Sequence, residues 1–211
     1  MSEELKANLA RKMIDAKIRN QCVILRRYTR NGSIDTEKEI LAMQNLRGKL
    51  LFCKSVEEIM GYEGAAARIY FSTLGKLIDS EFTFSGRNKR PPLDPFNSMI
   101  SLGYSIILNE IYGKLEGKGL NPYFGILHKD REKHPTLASD MMEEWRAVLL
   151  DKEGFKKYIG KLENKFHADQ KYLSYIDYRV SFRRALDLQV NQLTKAIEEN
   201  DASLYMPVVI R

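Results

Sequence analysis

The chain contains few of the residues that build disulfide-linked, zinc-binding or heavily kinked proteins. It has two cysteines, three histidines, six prolines and one tryptophan among 211 residues. Cys22 and Cys53 lie far apart in apolar surroundings, and no CxxC, HExxH or paired Cys/His spacing occurs. We therefore expect two buried thiols in a reducing compartment, and neither a disulfide framework nor a zinc centre.

Long apolar runs and linkers are also missing. No apolar stretch approaches the roughly 20 residues that a membrane-spanning helix requires. The first residues are charged and amphipathic, unlike a secretory signal. Three of the six prolines lie in the one sizeable loop, 80–95, and no internal repeat or low-complexity segment divides the sequence. We expect one domain over residues 1–211 in a cytoplasmic protein that has no membrane partner.

Charge of both signs is abundant, and the balance is basic. The chain has 34 lysines and arginines and 28 aspartates and glutamates, which gives a formal net charge of +6. This excess suits a polyanionic partner, although its placement matters more than its sum.

Helical periodicity runs through nearly the whole chain. Apolar residues recur at helical spacing, and N-cap signals mark several starts, including Ser55 with Glu58 and Asp94 before Pro95. The pattern predicts an all-α, compact multi-helix fold with little or no β-structure. A short extended segment is expected in the tail from residue 203. The expected helices cover 3–28, 36–51, 55–78, 94–115, a segment opened by Pro135 and Thr136, 151–166 and 168–199.

Three short blocks carry the residues suited to metal chemistry. GYEGAAARIY (61–70) supplies Glu63, GILH (125–128) supplies His128, and LASDMMEEWR (137–146) supplies Asp140 and Glu143. Carboxylates with a single imidazole suit Mg²⁺ or Mn²⁺ when the ion must also hold phosphate oxygens. In a basic helical protein, this set points to metal-dependent phosphodiester chemistry on a nucleic acid.

Each of these residues also has a purely structural interpretation. Asp140 and Glu143 are three residues apart, and so could form a solvated acidic face near a helix N-terminus. His128 could be a hydrogen-bonded residue at the border of the core. Glu63 could form an ion pair with Arg68 or with a distant lysine.

The blocks and their order resemble a known family. EGAAARIYF, RNKRPPLDPFNSMISLGYSIILNEIY, GILH and TLASDMMEEWR occur in the order seen in the CRISPR-associated spacer-acquisition integrases. The segments AKIRNQCVILRR (16–27) and SFRRALDLQVNQLTKAI (181–197) resemble the opening and closing helices of that family's catalytic domain. The resemblance therefore covers nearly the whole chain.

The resemblance implies a function and a ligand set. Glu63, His128 and Glu143 match the metal-binding positions, and Asp140 matches a neighbouring acidic position that assists the metal or orients the histidine. The reaction it implies is transesterification, in which the 3′-hydroxyl of a short DNA fragment (a prespacer) attacks a phosphodiester at the edge of a CRISPR repeat. Water in place of that hydroxyl would give nuclease activity.

Basic and aromatic residues near the blocks are candidate DNA contacts. Cationic side chains would set affinity without reading sequence, although any one of them is equally well ordinary surface charge. Tyr62, Tyr70 and Tyr104 are candidates for base stacking, with burial in the core as the alternative. We expect Asp94 and Asn97 to shape the loop-to-helix junction. The candidate DNA-binding residues are Arg87, Lys89, Arg90, Lys129, Arg131, Lys133, Arg179 and Arg183.

The chain departs from the family pattern in two places. The family's usual N-terminal β-rich domain does not precede the helical part, and the segment after EEWRAVLL is shorter than usual, with Ala147 in place of a proline. The alternatives are an excised catalytic domain and a naturally compact prokaryotic member of the family, and we expect the second because trimming the ends would not shorten an internal segment. We also expect self-association, because integration needs two active sites, and the missing domain puts partnership with the small ferredoxin-like adaptation protein in doubt. The competing hypotheses are a structure-selective DNA nuclease and a non-catalytic helical DNA-binding scaffold.

Overall fold

The fold is built from helices throughout the part of the chain that the computed structural model describes, which is residues 1–30, 34–78, 84, 86–88, 91–147 and 180–209. A 3₁₀ turn, Leu50–Phe52, connects the second and third α-helices, and another, Ala202–Leu204, follows the last one. Within these ranges there is no β-strand, and an isolated bridge pairs Arg131 with His134. The all-α prediction is confirmed for this part of the chain. The helices are α1 (Glu3–Thr29), α2 (Glu37–Lys49), α3 (Val56–Leu77), α4 (Pro95–Gly117), α5 (Thr136–Met142) and α6 (Phe182–Glu198).

Most helix boundaries agree with the periodicity, and two helix ends differ from it. The second helix gives way to a 3₁₀ turn at Leu50, while α5 ends at Met142 with Glu143 as its C-cap. The expected helix 151–166 and the start of 168–199 lie outside the described residues. The expected extended tail is a 3₁₀ turn followed by irregular chain.

Side-chain caps fix where three of the central helices begin. The Ser55 hydroxyl accepts from the Glu58 backbone N–H at 3.2 Å, and Asp94 Oδ1 accepts from the Asn97 N–H at 2.7 Å. Ser181 caps α6 in the same way. Each cap satisfies a donor that the first helical turn cannot pair internally.

The main core is an apolar cluster to which every described helix contributes, and a smaller cluster contains Ile24, Tyr28 and Ala147. Helix α1 packs against α2 and α3, while α4 packs against α5 and α6. Leu9, Met13, Ile14 and Ile18 of α1 are completely inaccessible to solvent. Because α1 is buried on this face, a charged side chain there is disfavoured unless it is paired.

The two thiols are buried and free, as predicted. Burial raises the pKa of the Cys22 thiol to about 11, so it is an inert core residue. None of the described helices has both the length and the apolarity to cross a membrane.

Candidate functional site

Asp140 organises the loop that carries His128. Its Oδ2 accepts hydrogen bonds from the backbone N–H groups of Ile126 and Leu127, at 2.6 and 2.8 Å. Its Oδ1 lies 2.6 Å from Nδ1 of His128. A carboxylate that already accepts two bonds favours the tautomer in which Nδ1 carries the proton, and this leaves Nε2 of His128 with its lone pair available.

Gly125 allows this loop to lie against α5. A Cβ atom at that position would come within 2.5 Å of both the His128 carbonyl oxygen and Cγ2 of Thr136. Its backbone N–H donates to Asp130 at 2.7 Å. The GILH block is therefore a tight loop that needs glycine at its first position and presents the imidazole at its last.

The second half of the site is an ion-paired cluster where α1, α3 and the end of α5 meet. The ammonium of Lys17 contacts Oε1 of Glu63 and lies 2.5 Å from Oε2 of Glu143. The side chains of Lys17, Glu63 and Glu143 are 6%, 16% and 4% exposed. Two carboxylates from distant parts of the chain thus converge on one cation.

Arg146 completes the cluster one turn after Glu143. Its Nη2 lies 2.9 Å from Glu143 Oε1, so both oxygens of Glu143 face a cation. Burial by itself would raise the pKa of the Glu143 carboxyl, but Arg146 and Lys17 outweigh burial and lower it to about 2. Trp145 packs edge-to-face on Phe182 and holds this turn against α6, with ring centroids 4.8 Å apart.

The imidazole of His128 lies close enough to this cluster to sense its charge. The hydrogen bond to Asp140 raises the pKa of His128, burial opposes it, and the negative charges of Asp140 and Glu143 raise it further. At 37% side-chain exposure, the ring is open to solvent while its Nδ1 is held.

The donor types suit a divalent ion, since Mg²⁺ and Mn²⁺ accept carboxylate oxygens together with an imidazole nitrogen. Among the described residues no three acidic, histidine or cysteine side chains are already gathered as a metal centre. The Lys17 ammonium lies between Glu63 and Glu143, where a cation shared by the two carboxylates would bind. The residues that would hold Mg²⁺ or Mn²⁺ are Glu63, Glu143 and the Nε2 of His128.

A cavity of about 380 Å³ is lined by Glu63 and Lys17 on one side and by Arg87, Tyr104 and Arg146 among its other residues. Two guanidiniums, those of Arg87 and Arg146, lie over the ring of Tyr104 at 5.7 and 5.0 Å from its centroid. Three polar atoms around the cavity find no hydrogen-bond partner within the described part of the chain, namely Gln21 Oε1, the Tyr70 hydroxyl and Arg146 Nε. The cavity therefore offers cationic and hydrogen-bonding groups to an anionic ligand beside the acidic residues.

The remaining predicted DNA contacts fall into three groups. Lys129, Arg131 and Lys133 are exposed on the loop after His128. Arg87 is half-buried, and Arg183 forms an ion pair with Glu110 of α4 at 3.0 Å, so neither is a simple surface charge. Lys89, Arg90 and Arg179 lie outside the described residues.

The three tyrosines that were candidates for base stacking differ in how far they are buried. Tyr70 and Tyr104 are buried, at 1% and 8% exposure, while Tyr62 is half-buried against the core. The guanidiniums of Arg87 and Arg146 lie over the Tyr104 ring. As expected, Asp94 and Asn97 shape the start of α4, since Asn97 Nδ2 donates to Asp94 Oδ2 at 2.6 Å.

The structural alternatives for the acidic residues can now be compared with the geometry. The solvated-face interpretation of Asp140 and Glu143 is wrong, because the two residues are 0% and 3% exposed. They do not act on one partner either: Asp140 binds the GILH loop, and Glu143 binds Lys17 and Arg146. Glu63 does pair with a distant lysine, which is Lys17.

Lys17 and Arg146 are the two residues that the sequence analysis missed as members of the site. The sequence does contain a signal for Lys17, because it shares the apolar face of α1 with Met13 and Ile14 at helical spacing. Arg146 lies three residues after Glu143, which places it on the neighbouring turn.

Solved structures define the class of this fold. The chain overlays on "Casposase bound to integration product" with a TM-score of 0.81 at 22% identity, covering 97% of this chain and 67% of that one. It overlays on "Partial Cas6-RT-Cas1--Cas2 complex" with a TM-score of 0.77 at 25% identity, covering 98% and 69%. This chain therefore has the fold of the matching region in those two structures.

The chain belongs to the Cas1 family, as its sequence blocks predicted. The family model described as CRISPR associated protein Cas1 matches residues 1–186. The CRISPR-associated endonuclease Cas1 of Mycobacterium tuberculosis (strain H37Rv) is 35% identical over 236 residues, covering 96% of this chain and 68% of the relative. A Cas1 endonuclease of Thermus thermophilus is 39% identical over 146 residues, covering 69% of this chain and 42% of the relative.

Proposed function

We propose that this chain is a divalent-metal-dependent DNA integrase and endonuclease of CRISPR adaptation. Its reaction is transesterification that joins the 3′-hydroxyl ends of short DNA fragments to a CRISPR repeat. One observation carries the proposal: Glu63 and Glu143 converge on a single cation, next to an imidazole whose orientation Asp140 fixes. Family membership and the casposase likeness in fold support the same reaction class.

The chemistry balances without a protein nucleophile. The oxygen of the attacking 3′-hydroxyl forms a new bond to phosphorus, and the bond from phosphorus to the leaving 3′-oxygen breaks. The attacking hydroxyl loses a proton, and the leaving strand gains one as a new 3′-hydroxyl. When water attacks instead, the outcome is hydrolysis, which accounts for endonuclease activity at the same site.

The residues of the site have two kinds of role: some would bind the metal or the phosphates, and Asp140 orients a metal ligand. Mg²⁺ or Mn²⁺ held by Glu63, His128 and Glu143 would polarise the scissile phosphate and stabilise charge on the two oxygens that exchange. Asp140 keeps Nδ1 of His128 engaged, so that Nε2 faces outward as a ligand. Arg87 and Arg146, which line the adjoining cavity, supply guanidiniums for the phosphates beside the reacting one.

DNA is the partner that the exposed charges fit best. Lys129, Arg131 and Lys133 follow His128 directly and are open to solvent, so a strand at the site would pass them. Joining both ends of a fragment needs two active sites, so the proposal includes self-association of this chain. The small ferredoxin-like adaptation protein is not required by it.

A strand-transfer assay tests the proposal. The purified chain is mixed with a short duplex bearing free 3′-hydroxyls and a supercoiled plasmid carrying a CRISPR repeat, in Mn²⁺ or in EDTA. We expect covalent joining in Mn²⁺ only. Glu143→Ala and His128→Ala should each abolish joining while leaving DNA binding nearly unchanged. Glu198→Ala, which removes an exposed carboxylate from α6, should leave joining unchanged.

Two other outcomes would point elsewhere. Nicking without joining would support the structure-selective nuclease. DNA binding with no metal-dependent reaction in any variant would support the non-catalytic scaffold and overturn the proposal.

A further inference from the structure

The ammonium group of Lys17 is buried in the apolar face of α1. Its side chain is 6% exposed, between the inaccessible residues Met13, Ile14 and Ile18. An ammonium at such a position is strongly disfavoured unless it is paired. Within the described ranges, the side chains that pair with it are Glu63 and Glu143, the two carboxylates of the proposed metal site. The contacts of Lys17 therefore tie it to that site.

The oxygens that a metal ion would need are already engaged. Lys17 holds Oε1 of Glu63 and Oε2 of Glu143, while Arg146 holds Oε1 of Glu143 at 2.9 Å. Three of the four carboxylate oxygens thus face a nitrogen cation. A divalent ion between the carboxylates needs the same lone pairs, and a positive charge at contact distance repels it.

The adjoining cavity gives the ammonium a second place to bind. Gln21 lies one turn after Lys17 on α1, and its buried Oε1 has no hydrogen-bond partner among the residues that the structure describes. Both side chains line the same cavity. Residues four apart on a helix are neighbours, so the Lys17 ammonium can reach the Gln21 carbonyl by rotating its side chain.

We propose that Lys17 is a built-in competitor of the divalent cation, which holds Glu63 and Glu143 together before the metal binds and then moves to Gln21. The inference rests on the metal site of the proposed function. Lys17 stabilises the metal-free protein, because it separates two buried like charges. It also weakens metal affinity, because the metal must displace it.

The test measures metal binding directly, in the full chain and without DNA. Mn²⁺ affinity is determined by calorimetry and by the electron paramagnetic resonance signal of free Mn²⁺, at one fixed pH. Lys17→Met keeps the length of the buried stem and removes the charge. We expect Mn²⁺ to bind Lys17→Met about tenfold or more tightly than it binds the original chain. In EDTA the melting temperature of this variant should be lower, and its rise on adding Mn²⁺ should be larger.

A matched control and a second variant complete the design. Lys12→Met removes a lysine from the same helix whose ammonium contacts carbonyl oxygens of Ala202 and Tyr205, so Mn²⁺ affinity should not change. Gln21→Leu removes the proposed second acceptor, so it should weaken Mn²⁺ binding when Lys17 is present and have no effect in Lys17→Met.

The outcomes separate this inference from the proposed function. Equal Mn²⁺ affinity with and without Lys17, or weaker binding in a folded Lys17→Met protein, would overturn the competition while leaving the metal site standing. Absence of Mn²⁺ binding to both proteins would overturn the metal site itself. If Lys17→Met does not fold, an unchanged Mn²⁺ affinity in Gln21→Leu would still count against the inference.

Discussion

At the scale of single residues, three buried acids within one short segment have three different environments. Asp140 accepts bonds from a loop, and Glu143 faces two cations, which lower its carboxyl pKa to about 2. Glu144 is also fully buried, but its partners in the described part of the chain are the uncharged Tyr205, Gln189 and the N–H of Val208. The two adjacent glutamates therefore differ in charge state because their surroundings differ, and Glu143 is the one that is stabilised as a carboxylate.

Glu144 makes the stability of the protein depend on pH. Burial raises its pKa to about 8, although the Tyr205 and Val208 hydrogen bonds oppose this. Below about pH 4.5 the carboxyl is protonated in both the folded and the unfolded chain, so it carries no penalty. As pH rises towards 8 the unfolded chain ionises first, and the free energy of unfolding falls by roughly 3–5 kcal/mol.

Glu144→Gln should remove this slope, since an amide resembles the protonated acid. Urea unfolding of both proteins at pH 5, 6.5 and 8 measures it. The variant should be the more stable protein at pH 8, with the difference shrinking towards pH 5. Parallel curves for the two proteins would contradict the raised pKa.

Gly125 gives a second prediction at this scale. In Gly125→Ala the new Cβ would press on the His128 carbonyl and on Thr136, so the loop must move. We expect a loss of about 1–3 kcal/mol in stability and a larger proportional loss of strand transfer, because the imidazole is displaced. Gly61→Ala is the control, since no described atom lies within 4 Å of its Cβ position in α3, and it should stabilise by about 0.5–1 kcal/mol.

At the scale of elements, the start of α4 both caps a helix and positions a cation. Asp94 holds Asn97 through both its backbone and its side-chain N–H groups. Asn97 Oδ1 in turn accepts from Arg87 Nη1 at 2.8 Å, and Arg87 lies over Tyr104 beside the carboxylates. A capping residue is thus connected to the proposed phosphate-binding cavity through one asparagine.

Asp94→Ser separates the two roles, because serine still caps the helix but cannot reach the Asn97 side chain. We expect a stability change below about 1 kcal/mol, together with weaker DNA binding measured by fluorescence anisotropy. Loss of a negative charge would by itself strengthen DNA binding, so a weaker affinity identifies the displaced Arg87. Ser55→Ala, which removes the α3 cap, should cost about 1 kcal/mol and leave DNA affinity unchanged.

Element boundaries were predictable from the sequence where a local signal exists. Ser55 and Asp94 mark helix starts that the structure reproduces. The end of α5 carried no such signal: Glu143 and the following residues lack glycine or proline, and the turn there is fixed by Trp145 packing on Phe182, a contact between distant segments. Such long-range packing has no signature in a single sequence.

At the scale of the whole molecule, the site also combines features that the sequence predicts with features that only long-range packing determines. The sequence blocks and their family resemblance led us to expect Glu63 and Glu143 at one site, and both contact Lys17. Their grouping with His128 as ligands of one metal ion stays a prediction. The identity of the counter-charge did not follow, because Lys17 is 46 residues from Glu63 and 126 residues from Glu143. A lysine on an apolar helix face indicates a buried partner, and only the packing of α1 against α3 reveals which one.

The distribution of exposed charge gives the last prediction. Lys129, Arg131 and Lys133 lie together after His128, whereas Lys38, Lys118 and Lys195 are exposed elsewhere, on α2, after α4 and on α6. Each phosphate contact adds about 0.9 to the slope of log affinity against log salt for duplex DNA. Changing Lys129, Arg131 and Lys133 to glutamine should lower that slope by about 2–3.

The control variant changes Lys38, Lys118 and Lys195 to glutamine and removes the same net charge. Because these lysines lie away from the expected path of the strand, the control should lower DNA affinity only slightly and leave the slope nearly unchanged. The measurement is a duplex titration from low to moderate salt for both triple variants. Equal slopes in the two proteins would mean that DNA responds to total charge, and that the loop after His128 does not guide the strand.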